Sequence, residues 1–169
     1  MIVIRPERPE EIAAIRHITQ QAFGRLAEAN LVDRLRTQGQ VIVSLVAGRC
    51  QHIAGQCLFS PVNLESAGQV CRLAGLGPIA VLPALQRQGI GSLLITHGLE
   101  YCRKAGYDGV VVLGHPVYYP RFGFILASRY GIHCEYAVPD DVFMAIELRP
   151  GALQRCAGTA KYQPAFKEI

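Results

Sequence analysis

Hydrophobic positions change their period three times along this chain. After a short apolar run, "IVIR" (2–5), the segment "RPEEIAAIRHITQQAF" places Ile12, Ile15, Ile18 and Phe23 at roughly helical spacing. Pro9 and acidic residues occupy its start, so it predicts a helix with one apolar face. A second helix is predicted in "EANLVDRLRTQG", where Leu31, Val32 and Leu35 form the stripe and Gly39 ends it. The period then shortens. "VIVSLVAG", "QHIAGQCLFSPV" and "VCRLAGLGPIAV" are β-branched or apolar runs broken by glycine, which predicts a meander of antiparallel strands. Gly75, Gly77 and Pro78 interrupt the third run. Proline cannot donate to a ladder, so this strand is expected to part from its neighbour near residue 78.

From Ile90 the helical period returns. Ile90, Leu93, Leu94, Tyr101, Cys102 and Ala105 are read as one side, Arg103 and Lys104 complement the macrodipole, and Gly106 is a left-handed stop. "GVVVLG" (109–114) reads as a buried strand, and "HPVYYPRFGF" as a tight connection with a helical turn. Two closing strands are expected in "FILASRYGIHCEYAV" and "VFMAIEL". The last twenty residues carry the apolar anchors Leu153, Tyr162 and Phe166, and one expectation is that this tail lies over an acceptor.

Composition narrows the class. A chain of 169 residues, half of them apolar and 18 % charged, is most simply one folded domain. Its net charge of +4 permits an anionic ligand without the dense Lys/Arg clustering of a nucleic-acid binder. Cys50, Cys57, Cys71, Cys102, Cys134 and Cys156 form no C-x-x-C pair, which argues against a zinc site. The N-terminus "MIVIRPERPE" has neither signal-peptide nor membrane-span character, so reduced, mostly buried thiols of a cytoplasmic protein are expected.

The chemistry concentrates in "QRQGIG" (86–91). A strand ending at Val81, followed by Gly89 and Gly91 at a helix start, exposes N–H groups that have no partner within the helix. Small residues let a pyrophosphate approach those donors. A plain turn explains the same spacing equally well. A Rossmann fingerprint would need a third glycine where Leu94 stands, and a P-loop needs Gly-Lys-Ser/Thr; both patterns fail.

"IAVLPALQRQGIGS" resembles the acetyl-CoA-binding motif Gln/Arg-x-x-Gly-x-Gly/Ala of the GNAT superfamily of N-acyltransferases. A second family signature, Tyr-x-x-x-Gly-Phe, matches Tyr119 to Phe124. Its chance occurrence in such a chain is on the order of one in a hundred. More narrowly, "EANLVDRLR", "LGPIAV", "YYPRFGF" and "AFKEI" resemble the bacterial YhbS-like branch of acetyltransferases.

The resemblance implies an α/β (α+β mixed) GNAT fold over residues 1–148, with a central splayed, mostly antiparallel sheet of about seven strands flanked by helices. Residues 149–169 would be an appendage packed on the same domain. It implies acetyl-CoA as co-substrate, no metal, and direct transfer to a primary amine of a small molecule, peptide or protein. Ile79, Ala80 and Val81 would present backbone groups to the pantetheine arm. Gln86, Arg87, Gln88, Gly89, Ile90, Gly91 and Ser92 would cradle the pyrophosphate. Tyr119 would protonate the departing thiolate as general acid, with Tyr118 as its alternative.

No acid stands on "LAGLGPIAV", where many members of the family place a glutamate. Glu28, His115 and Glu135 are the remaining candidates for a base, each with a plain structural explanation. The missing acid keeps a second function open, a non-catalytic acyl-CoA-binding or regulatory module. No nucleic acid or membrane partner is expected, and a homodimer is compatible with the sequence.

Overall fold

In the computed structural model every residue except Ala67 and Gln69 is described. Secondary structure follows the order β1 (Val3–Pro6), α1 (Ile12–Phe23), α2 (Ala27–Thr37), β2 (Val43–Arg49), β3 (His52–Glu65) and β4 (Leu73–Val81). It continues with α3 (Ile90–Lys104), β5 (Gly109–Leu113), β6 (Ile125–Leu126), β7 (Ile132–Cys134), β8 (Phe143–Glu147) and β9 (Gly158–Lys161). This is a mixed α/β fold whose sheet is mostly antiparallel. The described residues form nine strands rather than about seven. The single strand expected over 124–138 is divided into β6 and β7, and β9, which pairs parallel with β7, is a short strand that no hydrophobic alternation announces.

The chain forms two compact units, and β3, β4 and α3 each contribute residues to both. The first holds Met1–Ser60, Gly77–Gly98 and Pro164–Ile169. In it β1 pairs with β2 and β2 with β3, both antiparallel. Ile15 of α1 and Leu31, Val32 and Leu35 of α2 pack with Val46 and Leu58 of the sheet. The α2 stripe is therefore the one its spacing predicts. On α1 only the middle of the expected face is buried, because Ile12 and Phe23 lie at its exposed ends.

On α3 the buried side is Ile90, Leu94, Ile95 and Cys102, while Leu93 and Tyr101 are exposed. Gly98 sets this rotation. A Cβ there would lie 2.0 Å from Phe59 Cε2, so the fully buried Phe59 ring occupies the space a side chain would need.

The second unit holds Pro61–Leu76 and Leu99–Gln163. Here β4 runs parallel to β5 over Leu73–Gly75, three residues short of the expected parting at Pro78. β5 pairs antiparallel with β8, and β6 pairs with the same strand. β9 pairs with β3 on one side and β7 on the other. Leu153 and Ala160 of the tail are fully buried, with Leu153 seated on Gly109. These tail residues are thus core material. Cys71 and Cys156, expected as thiols, form a disulfide that ties the approach to β4 to the tail across 85 residues of sequence. Such a pairing is not readable from spacing.

Gly98→Ala is expected to lower the unfolding free energy by about 1–3 kcal/mol through overpacking, despite alanine's better helix propensity. A denaturant titration checks this, and an unchanged or raised midpoint would contradict the Phe59 contact. Iodoacetamide on the denatured, unreduced chain should modify four cysteines, Cys50, Cys57, Cys102 and Cys134. After reduction all six should react. In the folded protein the exposed Cys50 should react first and the buried Cys57 and Cys102 slowly; burial pushes the Cys102 thiol up to about 12.

Candidate active site

The cradle is built from the end of β4 and the turn that follows. Leu82 N–H donates to Ala54 C=O at 2.9 Å, and the Ala80 carbonyl lies against Gly55 of β3. Backbone groups alternate along a strand, so Ala80 and Leu82 face β3 while Ile79 and Val81 turn theirs to the opposite edge. Of the three residues expected at the pantetheine arm, Ala80 therefore turns its backbone groups to β3, and Ile79 and Val81 turn theirs away from it.

A short 3-10 turn, Pro83–Leu85, reverses the chain. Gln86 is exposed, and its Nε2 donates to Val81 C=O at 3.0 Å and closes the turn. Arg87 (φ 63°) and Gly89 (φ 86°) both take left-handed backbone. For a non-glycine residue that conformation costs about 1–2 kcal/mol, and such strain gathers where backbone geometry is functional. Left-handed residues in a turn curl successive N–H groups toward one point, making a concavity for an anion. Gln88 and Gly89 are exposed, Gly91 and Ser92 half-buried, and only Ile90 is buried. Leu93 N–H bonds back to Gly89 C=O at 3.1 Å at the start of α3. The arrangement presents partial positive charge and donors to an anion, and Arg87 adds an exposed full charge.

The two tyrosines lie in the second unit and differ sharply. Tyr119 opens the 3-10 turn Tyr119–Phe122 and is 8 % exposed. Its ring meets Phe124 edge-on at 5.7 Å and Tyr118 at 5.2 Å. Gly114, at the end of β5, makes room for it: a Cβ there would stand 2.2 Å from Tyr119 Cε2. Tyr118 is half-buried, with the Arg121 guanidinium over its ring at 4.4 Å and Arg121 Nε donating to its carbonyl. The aromatic cluster therefore fixes Tyr119, while Tyr118 is engaged by Arg121. Gly114 was not singled out in the sequence; its only signal is a glycine closing a buried strand just before the tyrosines.

The base candidates are dispersed. Glu28 is 4 % exposed in the first turn of α2, and the Arg25 guanidinium holds both its oxygens, one through Nε at 2.9 Å. His115 is exposed, and its carbonyl accepts Tyr118 N–H. Glu135 accepts the Tyr162 N–H at 2.6 Å and thereby pins the tail. Among the described residues no group of three His, Cys, Asp or Glu is arranged to hold a metal ion. Among the described residues no helix is long and apolar enough to cross a membrane.

A mostly antiparallel mixed sheet flanked by helices, with a strand feeding an amide-rich turn at a helix N-terminus, defines the acyl-CoA N-acyltransferase class of fold. The chain belongs to the GNAT family: the family model of the acetyltransferase (GNAT) domain matches residues 3–127. It is 32 % identical over 169 residues to the uncharacterized N-acetyltransferase YhbS of Escherichia coli K12, covering 99 % of this chain and 100 % of that protein. It is 35 % identical over 130 residues to YjhQ of the same organism, covering 75 % of this chain and 72 % of that protein.

The crystal structure of E. coli YhbS in complex with CoA superposes with a TM-score of 0.94, covering 99 % of this chain and 93 % of that one, at 32 % identity. A GNAT acetyltransferase from Brucella melitensis in complex with acetyl-CoA gives 0.81 at 36 % identity, covering 98 % of each chain.

Gly114→Ala should force the Tyr119 ring out of its seat. The chain has no tryptophan, so near-UV circular dichroism reports its tyrosines and phenylalanines. That signal should change while the far-UV spectrum stays constant, and an unaltered near-UV spectrum would refute the close packing.

Proposed function

We propose that this protein is an acetyl-CoA-dependent N-acetyltransferase that moves an acetyl group directly to a primary amine. The observation that carries the reading is the turn Gln86–Gly89, whose left-handed residues lead into the N-terminus of α3 beside the outward edge of Ile79 and Val81. It has support from the two GNAT structures that hold CoA and acetyl-CoA. In this reading the pyrophosphate sits on the amides of residues 87–92, and the pantetheine arm adds to β4 as a further strand.

The amine nitrogen attacks the thioester carbonyl carbon, the C–S bond breaks, and the sulfur leaves with the bonding electrons. Tyr119 gives its phenolic proton to that thiolate. The proton lost by the amine passes to water, because neither Glu28, whose oxygens are taken by Arg25, nor the exposed His115 supplies a dedicated base.

Tyr119→Phe should keep CoA affinity within about twofold while slowing thiol release by about ten- to a hundredfold or more. Calorimetry with CoA and a thiol-release assay over a panel of amines check both halves. A variant that turns over at the wild-type rate removes Tyr119 from the chemistry. CoA binding with no thiol release from any amine would favour the non-catalytic acyl-CoA-binding module.

A further inference from the structure

Beside the Tyr119 turn lies a cavity of ≈ 300 Å³ that the transfer chemistry leaves unused. That is the lower end of small-molecule pockets, roughly 300–1,000 Å³. Its deepest lining residues are Phe124 and Met144, both 2 % exposed, and Ile125, Leu126 and two prolines complete an apolar wall. Only two lining residues are charged, Arg129 and Asp141, and both are exposed.

Nine of the fourteen arginines are engaged elsewhere. Arg5, Arg16, Arg25, Arg34, Arg36, Arg103 and Arg149 each pair with a carboxylate, and Arg72 and Arg121 lie over tyrosine rings. Among the described residues Arg129 and Asp141 have no ion-pair or side-chain hydrogen-bond partner, whereas the adjacent Asp140 accepts a bond from Ser128. An unpaired surface charge alone carries little meaning. Two opposite charges on one apolar concavity describe a complementary ligand: an apolar body bearing one carboxylate and one cationic group.

The cavity also shares a wall with the proposed acid. Phe124 lines it and meets the Tyr119 ring edge-on, and Pro120, the residue after Tyr119, lines it too.

We propose that this cavity receives the side chain of the acceptor, and that the acceptor is a free α-amino acid with a bulky apolar side chain. Arg129 holds its carboxylate through the planar guanidinium fork. Asp141 draws in its ammonium group. The assignment of an acceptor rests on the acetyltransferase reading. Acetylation of the α-nitrogen removes its positive charge: the nitrogen bonds to the acetyl carbon, the thioester C–S bond breaks, and the nitrogen's protons pass to water. The product keeps the carboxylate for Arg129 but offers nothing to Asp141, so it binds more weakly than the substrate.

The test uses the full chain with L-phenylalanine as probe, and L-phenylalaninamide, 3-phenylpropionate, glycine and N-acetyl-L-phenylalanine as controls. Binding is followed by ligand-observed NMR or calorimetry. L-phenylalanine should bind saturably and more tightly than every control. Arg129→Gln should weaken L-phenylalanine by about tenfold and leave the amide unchanged; Asp141→Asn should weaken the amino acid and leave 3-phenylpropionate unchanged. Both positions are exposed, so folding is not at stake. Absence of saturable L-phenylalanine binding, or binding indifferent to Arg129→Gln, overturns the proposal. Thiol release from acetyl-CoA separates the two levels. Release with other amines, unaffected by Arg129→Gln, sinks the amino-acid site and leaves the acetyltransferase standing. Specific amino-acid binding without any release sinks the acceptor role and counts against the acetyltransferase reading itself.

Discussion

Backbone polar groups in a sheet must find partners, and the half of β4 beyond Gly75 is where that demand shapes the rest of the molecule. The parallel ladder with β5 is registered over Leu73–Gly75, yet β4 continues to Val81. Along that continuation Ala80 and Leu82 are committed to β3, which leaves the groups of Ile79 and Val81 on the other edge. Gln86 reaches back to Val81 C=O and anchors the following turn to the strand it leaves. A ligand with amides of its own can extend such an edge, and the same ligand meets an anion site if it carries phosphate. In the function proposed above, one covalent path would supply both strand addition and anion binding within eleven residues, Val81 to Gly91.

Adjacent tyrosines that look interchangeable in sequence are separated by what each one touches. Tyr119 packs against Gly114, Phe122 and Phe124, all without formal charge. Tyr118 shares its face with the Arg121 guanidinium. A group that must deliver a proton at one atom benefits from a fixed ring, since misplacement by about 1 Å can cost a hundredfold in rate. The glycine closing β5 is thus as much part of the tyrosine's definition as the tyrosine itself.

Much of this architecture is legible before any coordinates. The order of elements, the α2 stripe and the turn before α3 follow from period, caps and glycines, all of them local signals. What escapes is set by distant partners. The face of α3 is rotated from the one expected because Phe59, thirty-nine residues earlier in the sequence, fills the space at Gly98. β9 reads Gly-Thr-Ala-Lys, too short and too mixed to show a strand's alternation, and it exists because β3 and β7 flank it. The disulfide joins residues whose spacing carries no pattern, so nothing local in the sequence announces it. In the turn after β4, the Gln86 side chain closes back onto Val81 C=O, a contact that no motif announces.

The C-terminal tail shows why an acceptor role for it cannot be separated from folding by deletion. Residues up to Gln163 belong to the second unit and Pro164–Ile169 to the first. Before the crossing, β9 is a sheet strand, Leu153, Cys156 and Ala160 are fully buried, and Glu135 fixes the Tyr162 amide. After it, Ala165 and Phe166 pack with Leu31, Val32 and Leu35, and Glu168 pairs with Arg34. Removing several buried apolar side chains costs about 2–5 kcal/mol each, which together rivals the whole stability of a domain, about 5–15 kcal/mol. Loss of activity on truncation would therefore report unfolding first. Any influence of the tail on the acceptor has to be read from single exposed side chains, where packing is left intact and chemistry alone is changed.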